Sequence, residues 1–110
     1  MRELLMELVK RAHAENSVAV ATLADGIAML AYPMDDGMLV GLGMEGEYAR
    51  RVDATRLLHK RAGDMARFGG WLPAQLKDGA WYVLKRLPSY HQDARLLEED
   101  EVAAAVELLK

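Results

Sequence analysis

Three Asp-Gly pairs, Asp25-Gly26, Asp36-Gly37 and Asp78-Gly79, each interrupt an apolar run of this 110-residue chain. The aspartate caps its own turn and the glycine supplies positive φ, so each pair lets two strands reverse direction tightly and run antiparallel. VAVATLA (residues 18–24) therefore pairs with the run at 27–32, that run with MLVGLGME (38–45), and WLPAQL with AWYVLKRL. Pro33 has no amide hydrogen and belongs at the end of its strand or on an edge, and Pro88 closes the last strand.

Helical spacing fills the remainder. Leu4, Leu5, Leu8, Val9 and Ala12 form one apolar stripe from Arg2 to Glu15, and Asn16-Ser17 ends that helix. After a polar connection at 47–52, Asp53 is an N-cap. Ala54, Leu57, Leu58, Ala62, Met65 and Phe68 then carry one helix to a stop at Gly69-Gly70. Residues 89–95 read as loop. Glu98, Glu99, Asp100 and Glu101 suit the positive end of a helix dipole, and Val102, Ala105, Val106 and Leu109 give that last helix its apolar stripe. The order α-β-β-β-α-β-β-α predicts an α+β fold, a five-stranded antiparallel sheet with three helices, in one domain over residues 1–110.

Charge and composition narrow the function. Lys and Arg total 14 against 17 acidic residues, with no basic run beyond Arg50-Arg51 and Lys60-Arg61, which argues against a nucleic-acid partner. The chain has no cysteine for disulfides or thiolate metal sites, and no apolar run of the ~20 residues that cross a membrane. MRELLMELVKRAH carries Glu3 and Glu7 and lacks the small-residue cleavage pattern of a secretory signal. The expectation is a soluble cytoplasmic protein.

Candidate chemistry is sparse. His13, His59 and His91 have no partner at metal-ligand spacing, and neither Ser17 nor Ser89 sits in a nucleophile motif. Asp35-Asp36 offers paired carboxylates, although acidic residues before a glycine are also what a turn requires. Gly41-x-Gly43 lies inside a strand with no following helix to present amides to a phosphate. Trp71, Trp81 and Tyr82 could stack bases, but without a basic groove they read as packing or interface residues. No catalytic residue, metal or cofactor is assigned.

The stretch GIAMLAYPMDDGMLVGLGMEG (26–46) is the functional clue. Its strands are apolar on both faces, where a solvated antiparallel sheet has one polar face. The third strand sorts Met38, Val40, Leu42 and Met44 from Leu39, Gly41, Gly43 and Glu45, so its glycine face admits a backbone or a large side chain. Four of the seven methionines lie here, and methionine adapts to differently shaped partners. An exposed surface of this kind marks an interaction site; the alternative is that helices or a second subunit cover both faces permanently. Ile27, Met29, Leu30, Met38, Val40, Leu42 and Met44 are the candidate contacts.

Taken together, MRELLMELVKRAH, the strands through MLVGLGM, the helix DATRLLHKRAGDMARF, the pair WLPAQLKDGAWYVLKRL and the final EEDEVAAAVELL resemble the class I type III secretion chaperones, the CesT/Tir-chaperone-like family, in element order, length and acidity. The short chain is similar to the small members that pair with a sister chaperone. The resemblance implies binding of the N-terminal segment of a secreted effector or gatekeeper protein in the bacterial cytoplasm, without ATP hydrolysis. It also implies a homodimer or heterodimer whose interface draws on Leu57, Leu58, Met65, Phe68, Trp71, Leu72, Trp81 and Val83, any of which could equally be core. A roadblock- or profilin-like interaction module is the alternative, disfavoured by its two strands before the long helix and three after it. A small enzyme using Asp35, Asp36 and a histidine is a third reading, without a convergent nucleophile, base and oxyanion arrangement.

Overall fold

A computed structural model describes residues 2–23, 26–87 and 97–110. Asp25, Pro88, Ser89, His91 and the loop expected at 89–95 lie outside the described residues. The hairpins fold as expected into a five-stranded antiparallel sheet: β1 (Ala19–Thr22), β2 (Ile27–Met34), β3 (Gly37–Met44), β4 (Leu72–Gln75) and β5 (Trp81–Leu87), in the order β1-β2-β3-β5-β4. Gly26 and Gly79 have φ of 79° and 92°, the left-handed conformation their turns demand. Gly37 instead pairs with Met34 inside the ladder, so Asp35 and Asp36 alone make the second turn. β2 runs on through Pro33, beyond Ala19↔Ala31, the last pair that β1 makes with it. On that side β2 has become an edge, where a missing N–H is tolerated.

Helices number more than the three expected. They are α1 (Arg2–Glu15), α2 (Ala54–Gly63), α3 (Met65–Phe68) and α4 (Glu99–Leu109), with a 3₁₀ helix at Gly46–Arg51 where a plain polar connection was expected. The single helix anticipated from Ala54 to Phe68 breaks at Asp64, whose φ of −148° and ψ of 69° leave the helical region. Gly63 is a weak helix former, and the Asp64 carboxylate accepts from the Arg67 amide at 3.3 Å, starting a new helix there. Asp53 caps α2 in the same way, accepting from the Arg56 amide at 3.1 Å. α1 ends at Asn16, φ 49°, with the Ser17 amide donating to the Ala12 carbonyl at 3.2 Å.

Among the described residues, α1 to α4 lie on one side of the sheet or on one another. α1 packs on β1, β2 and β3, α4 packs on β3 and β5, and α2 and α3 pack on α4. Leu5, Leu8, Val9 and Ala12 of α1 and Val102, Ala105, Leu108 and Leu109 of α4 join the inner-face strand residues in one core.

Polar contacts fix α4 over β5. The buried Trp71 donates its indole N–H to the Glu101 carbonyl oxygen at 3.1 Å, and Lys85 of β5 pairs with the Glu101 carboxylate while its ammonium lies 5.8 Å from the Trp71 ring centre. From α2 and α3, Lys60 reaches the Glu107 carbonyl at 2.7 Å and Arg67 the Glu107 carboxylate at 2.6 Å. Burial pushes the Glu101 carboxyl up, but the hydrogen bond from Lys85, the Glu98 amide and the Lys85 charge together outweigh it and hold the group below its ordinary value of 4.5.

The stability this carboxylate contributes is therefore present above pH 4.5 and is lost as pH falls through its lower folded-state value. In urea unfolding, the advantage of the wild type over Glu101→Gln is expected to shrink as pH is lowered below 4.5. An advantage that stays constant through the acid range would mean that the Lys85–Glu101 pair does not act in solution.

Candidate partner-binding surfaces

Cross-strand register decides which side chains meet the helices. The pairs Ile27↔Met44, Met29↔Leu42 and Ala31↔Val40, continued by Met38↔Leu87 and Leu42↔Val83, lie on the inner face. Ile27, Met29, Met38, Val40 and Leu42 are consequently buried in the core beneath α1 and α4. This corrects their expected place on a docking surface, because the helices close over them. Met44 is half-buried at the margin, where it lines a cavity with Tyr48, Arg51, Val52 and Leu109. Among the proposed contacts Leu30 alone faces outward.

The outer face carries a different set. One row, Val20–Leu30–Gly41–Leu84–Leu72, crosses all five strands without a polar side chain. On one side of it runs Thr22–Ala28–Gly43–Tyr82–Ala74, and on the other Tyr32–Leu39–Arg86. Val20 and Leu72 are each 60% exposed and Tyr32 52%, while Leu30, Leu39 and Leu84 are half-buried. The buried apolar side chains of Ala28, Ala80 and Tyr82 form a cluster of their own that contains no helical residue. The sheet therefore has one face covered by helices and one apolar face left open among the described residues.

Two glycines shape that open face. A Cβ on Gly41 would lie 2.7 Å from a Leu84 methyl, and one on Gly43 would lie 2.5 Å from the Trp81 carbonyl oxygen and 2.6 Å from the Tyr82 ring. The notch legible in GLG is thus filled from β5, which flattens the surface. Tyr82 is held in place by its hydroxyl, which donates to Glu45 Oε1 at 2.5 Å. Burial, then that hydrogen bond and the Glu45 and Asp78 charges, push the phenol well above its ordinary range, so it remains a neutral donor. Arg86, the charged residue in these rows, pairs with Asp36 at the opposite end.

The sheet's two edges differ. β4 carries Pro73, which blunts it as a template for another strand. β1 is AVAT, with neither proline nor charge, and among the described residues no strand pairs with its outer side. Exposed Val18, Val20 and Leu4 flank this edge, and a groove lined by Leu4, Glu7, Leu8, Arg11, Val20 and Ala21 runs between it and α1.

The residues expected at a dimer interface do not come together. Leu57, Phe68, Trp71 and Val83 are buried in the core, which corrects their expected place in an interface. Leu58 and Met65 are about half exposed on α2 and α3, Leu72 lies on the opposite, outer sheet face, and Trp81 is half-buried beside the 3₁₀ helix and the β4–β5 turn. Asp36, considered as an acid or base, is engaged by Arg86, while His13 and His59 are exposed on α1 and α2. Among the described residues no group of three or more His, Asp or Glu side chains could hold a metal, and no helix is long and apolar enough to cross a membrane. Sequence reading missed Val20, Tyr32, Leu39 and Leu84 as a surface, since only the pairing register aligns them.

No protein-family model matches the chain, and neither a curated protein nor a solved structure matches it.

If β5 side chains fill the glycine positions, Gly43→Ala should destabilise the protein by about 1–3 kcal/mol through overpacking. Gly63→Ala, at a position with nothing within 4 Å of an added Cβ, should be neutral or stabilising by up to about 1 kcal/mol. Urea midpoints of the two variants decide this, and equal effects would refute the packing described.

Proposed function

We propose that this chain is a chaperone of the type III secretion kind, a non-enzymatic domain that holds an extended segment of a secreted effector or gatekeeper protein in the bacterial cytoplasm. The observation that carries the reading is the open edge of β1 beside the α1 groove. An added strand would satisfy the unpaired N–H and C=O groups of β1, with main-chain bonds supplying affinity and alternate side chains supplying selectivity. One set of those side chains would lie beside Val20 on the outer face, and the other against Leu4 and Leu8 of α1. Glu7 and Arg11 at the groove rim would favour a segment carrying both charge signs around its apolar residues.

Such binding needs no covalent chemistry and no nucleotide hydrolysis. It keeps the client extended because the strand conformation is the one that fits the edge. The element order that resembles the secretion chaperones supports the same reading, and an accompanying homodimer or a sister chaperone belongs to this proposal as well.

The test is co-purification of the full chain with secreted proteins of its own cell, followed by titration of the recovered client segment. Val20→Asp and Leu4→Asp should each weaken binding about tenfold or more, equivalent to at least ~1.4 kcal/mol, with unchanged circular dichroism. Met65→Asp, on the helical side, should bind normally. Failure to recover any secreted protein, or binding indifferent to both β1-edge variants, would sink the reading.

A further inference from the structure

We infer that the outer face of the sheet is a self-association surface, occupied in solution by the same face of a second copy of this chain. The inference places the homodimer admitted in the proposed function on a named surface, but it does not rest on client binding, which uses the β1 edge, so either can fail without the other.

Size is the first argument. Five strands about 4.8 Å apart, averaging roughly six residues at ~3.3 Å each, present a face on the order of 500 Å² in projection. Two such faces would remove about 1,000 Å² or more from water, the scale at which a specific interface begins. A single extended peptide laid on the face covers about two strand spacings and leaves more than half of it wet. A flat layer is required, and a second sheet packed about 10 Å away supplies one.

Chemistry is the second argument. The row Val20–Leu30–Gly41–Leu84–Leu72 has no charge for a partner to neutralise, so the centre of the face is complementary to itself. Charges stand only at the margins, Arg86 with Asp36 toward one end of the strands and Glu45 on Tyr82 toward the other. A two-fold axis along the apolar row turns one copy end for end. It sets the margin carrying the Arg86–Asp36 pair of each copy over the Glu45 margin of the other, so that neither charged margin lies over the apolar row of its partner. The flattening by Leu84 and Tyr82 over Gly41 and Gly43 lets the two layers meet without a ridge between them.

Sedimentation equilibrium of the full chain across micromolar concentrations tests this. The expected mass is that of two chains, halved in the Tyr32→Lys/Leu72→Lys double variant with circular dichroism unchanged, and kept in Leu58→Lys/Met65→Lys on the helical side. Because the protein lacks cysteine, Leu30→Cys introduces a single thiol near the axis. A short bismaleimide should join two copies through it far faster than through Leu58→Cys, a readout that does not depend on the lysine variants folding. A single-chain mass throughout, a dimer broken by the helical-side variant instead, or a different folded protein seated on this face of a single chain would each overturn the inference.

Discussion

β3 is paired along its length on both sides, to β2 from Met34↔Gly37 to Ile27↔Met44 and to β5 from Met38↔Leu87 to Met44↔Trp81. That double register sets the environment of the side chains in the central strands at once, since side chains alternate faces with a period of two. A slip of one residue would send Met38, Val40 and Leu42 outward and bring Leu39, Gly41 and Gly43 under α1 and α4. Two glycines would then leave the core without side chains. The register is therefore specified by bulk: the methionine-rich face fills the space beneath two helices and the glycine face does not.

A second constraint places the helical layer. Trp71 is buried just before β4, and its indole N–H finds a partner in the Glu101 carbonyl of α4, while Lys85 joins the Glu101 carboxylate from β5. Arg61 adds hydrogen bonds to the carbonyls of Trp71 and Gly69 at 2.9 and 3.0 Å, which ties the end of α2 to the same point. These contacts join elements far apart in the chain, and they hold α2, α3 and α4 together on the inner side. Among the described residues the outer side receives no helix.

One-sided coverage gives the molecule two apolar surfaces of different kinds. An open edge exposes unpaired main-chain groups and suits an extended segment, whereas an open face exposes side chains alone and suits a layer. The proposed client strand and the proposed second copy therefore compete little for the same groups, with Val20 the residue common to both. The methionines of this stretch do not form an adaptable contact surface: Met29 and Met38 are core residues, Met44 is marginal, and Met34 is partly exposed at the outer-face end of β2.

Much of the architecture was legible because it depends on local chemistry. Asp-Gly turns and apolar runs specify hairpins, and Asp53, Asn16 and the spacing of Leu5, Leu8 and Ala12 specify where helices begin, end and bury a stripe. The break at Gly63-Asp64 was written in the same terms, but the periodicity running through it to Phe68 masked it. What no local pattern contains is which of two apolar faces lies inside. Ile27, Met29 and Ala31 are as apolar as Ala28, Leu30 and Tyr32, so composition cannot rank them. Tertiary packing decided it, because α1 and α4 need bulky side chains to close on, and Met29, Val40 and Leu42 provide that volume while Gly41 and Gly43 do not. The same choice left Val20, Leu30, Leu84 and Leu72 aligned and open to a partner, a surface assembled from four separate strands that exists only once they pair.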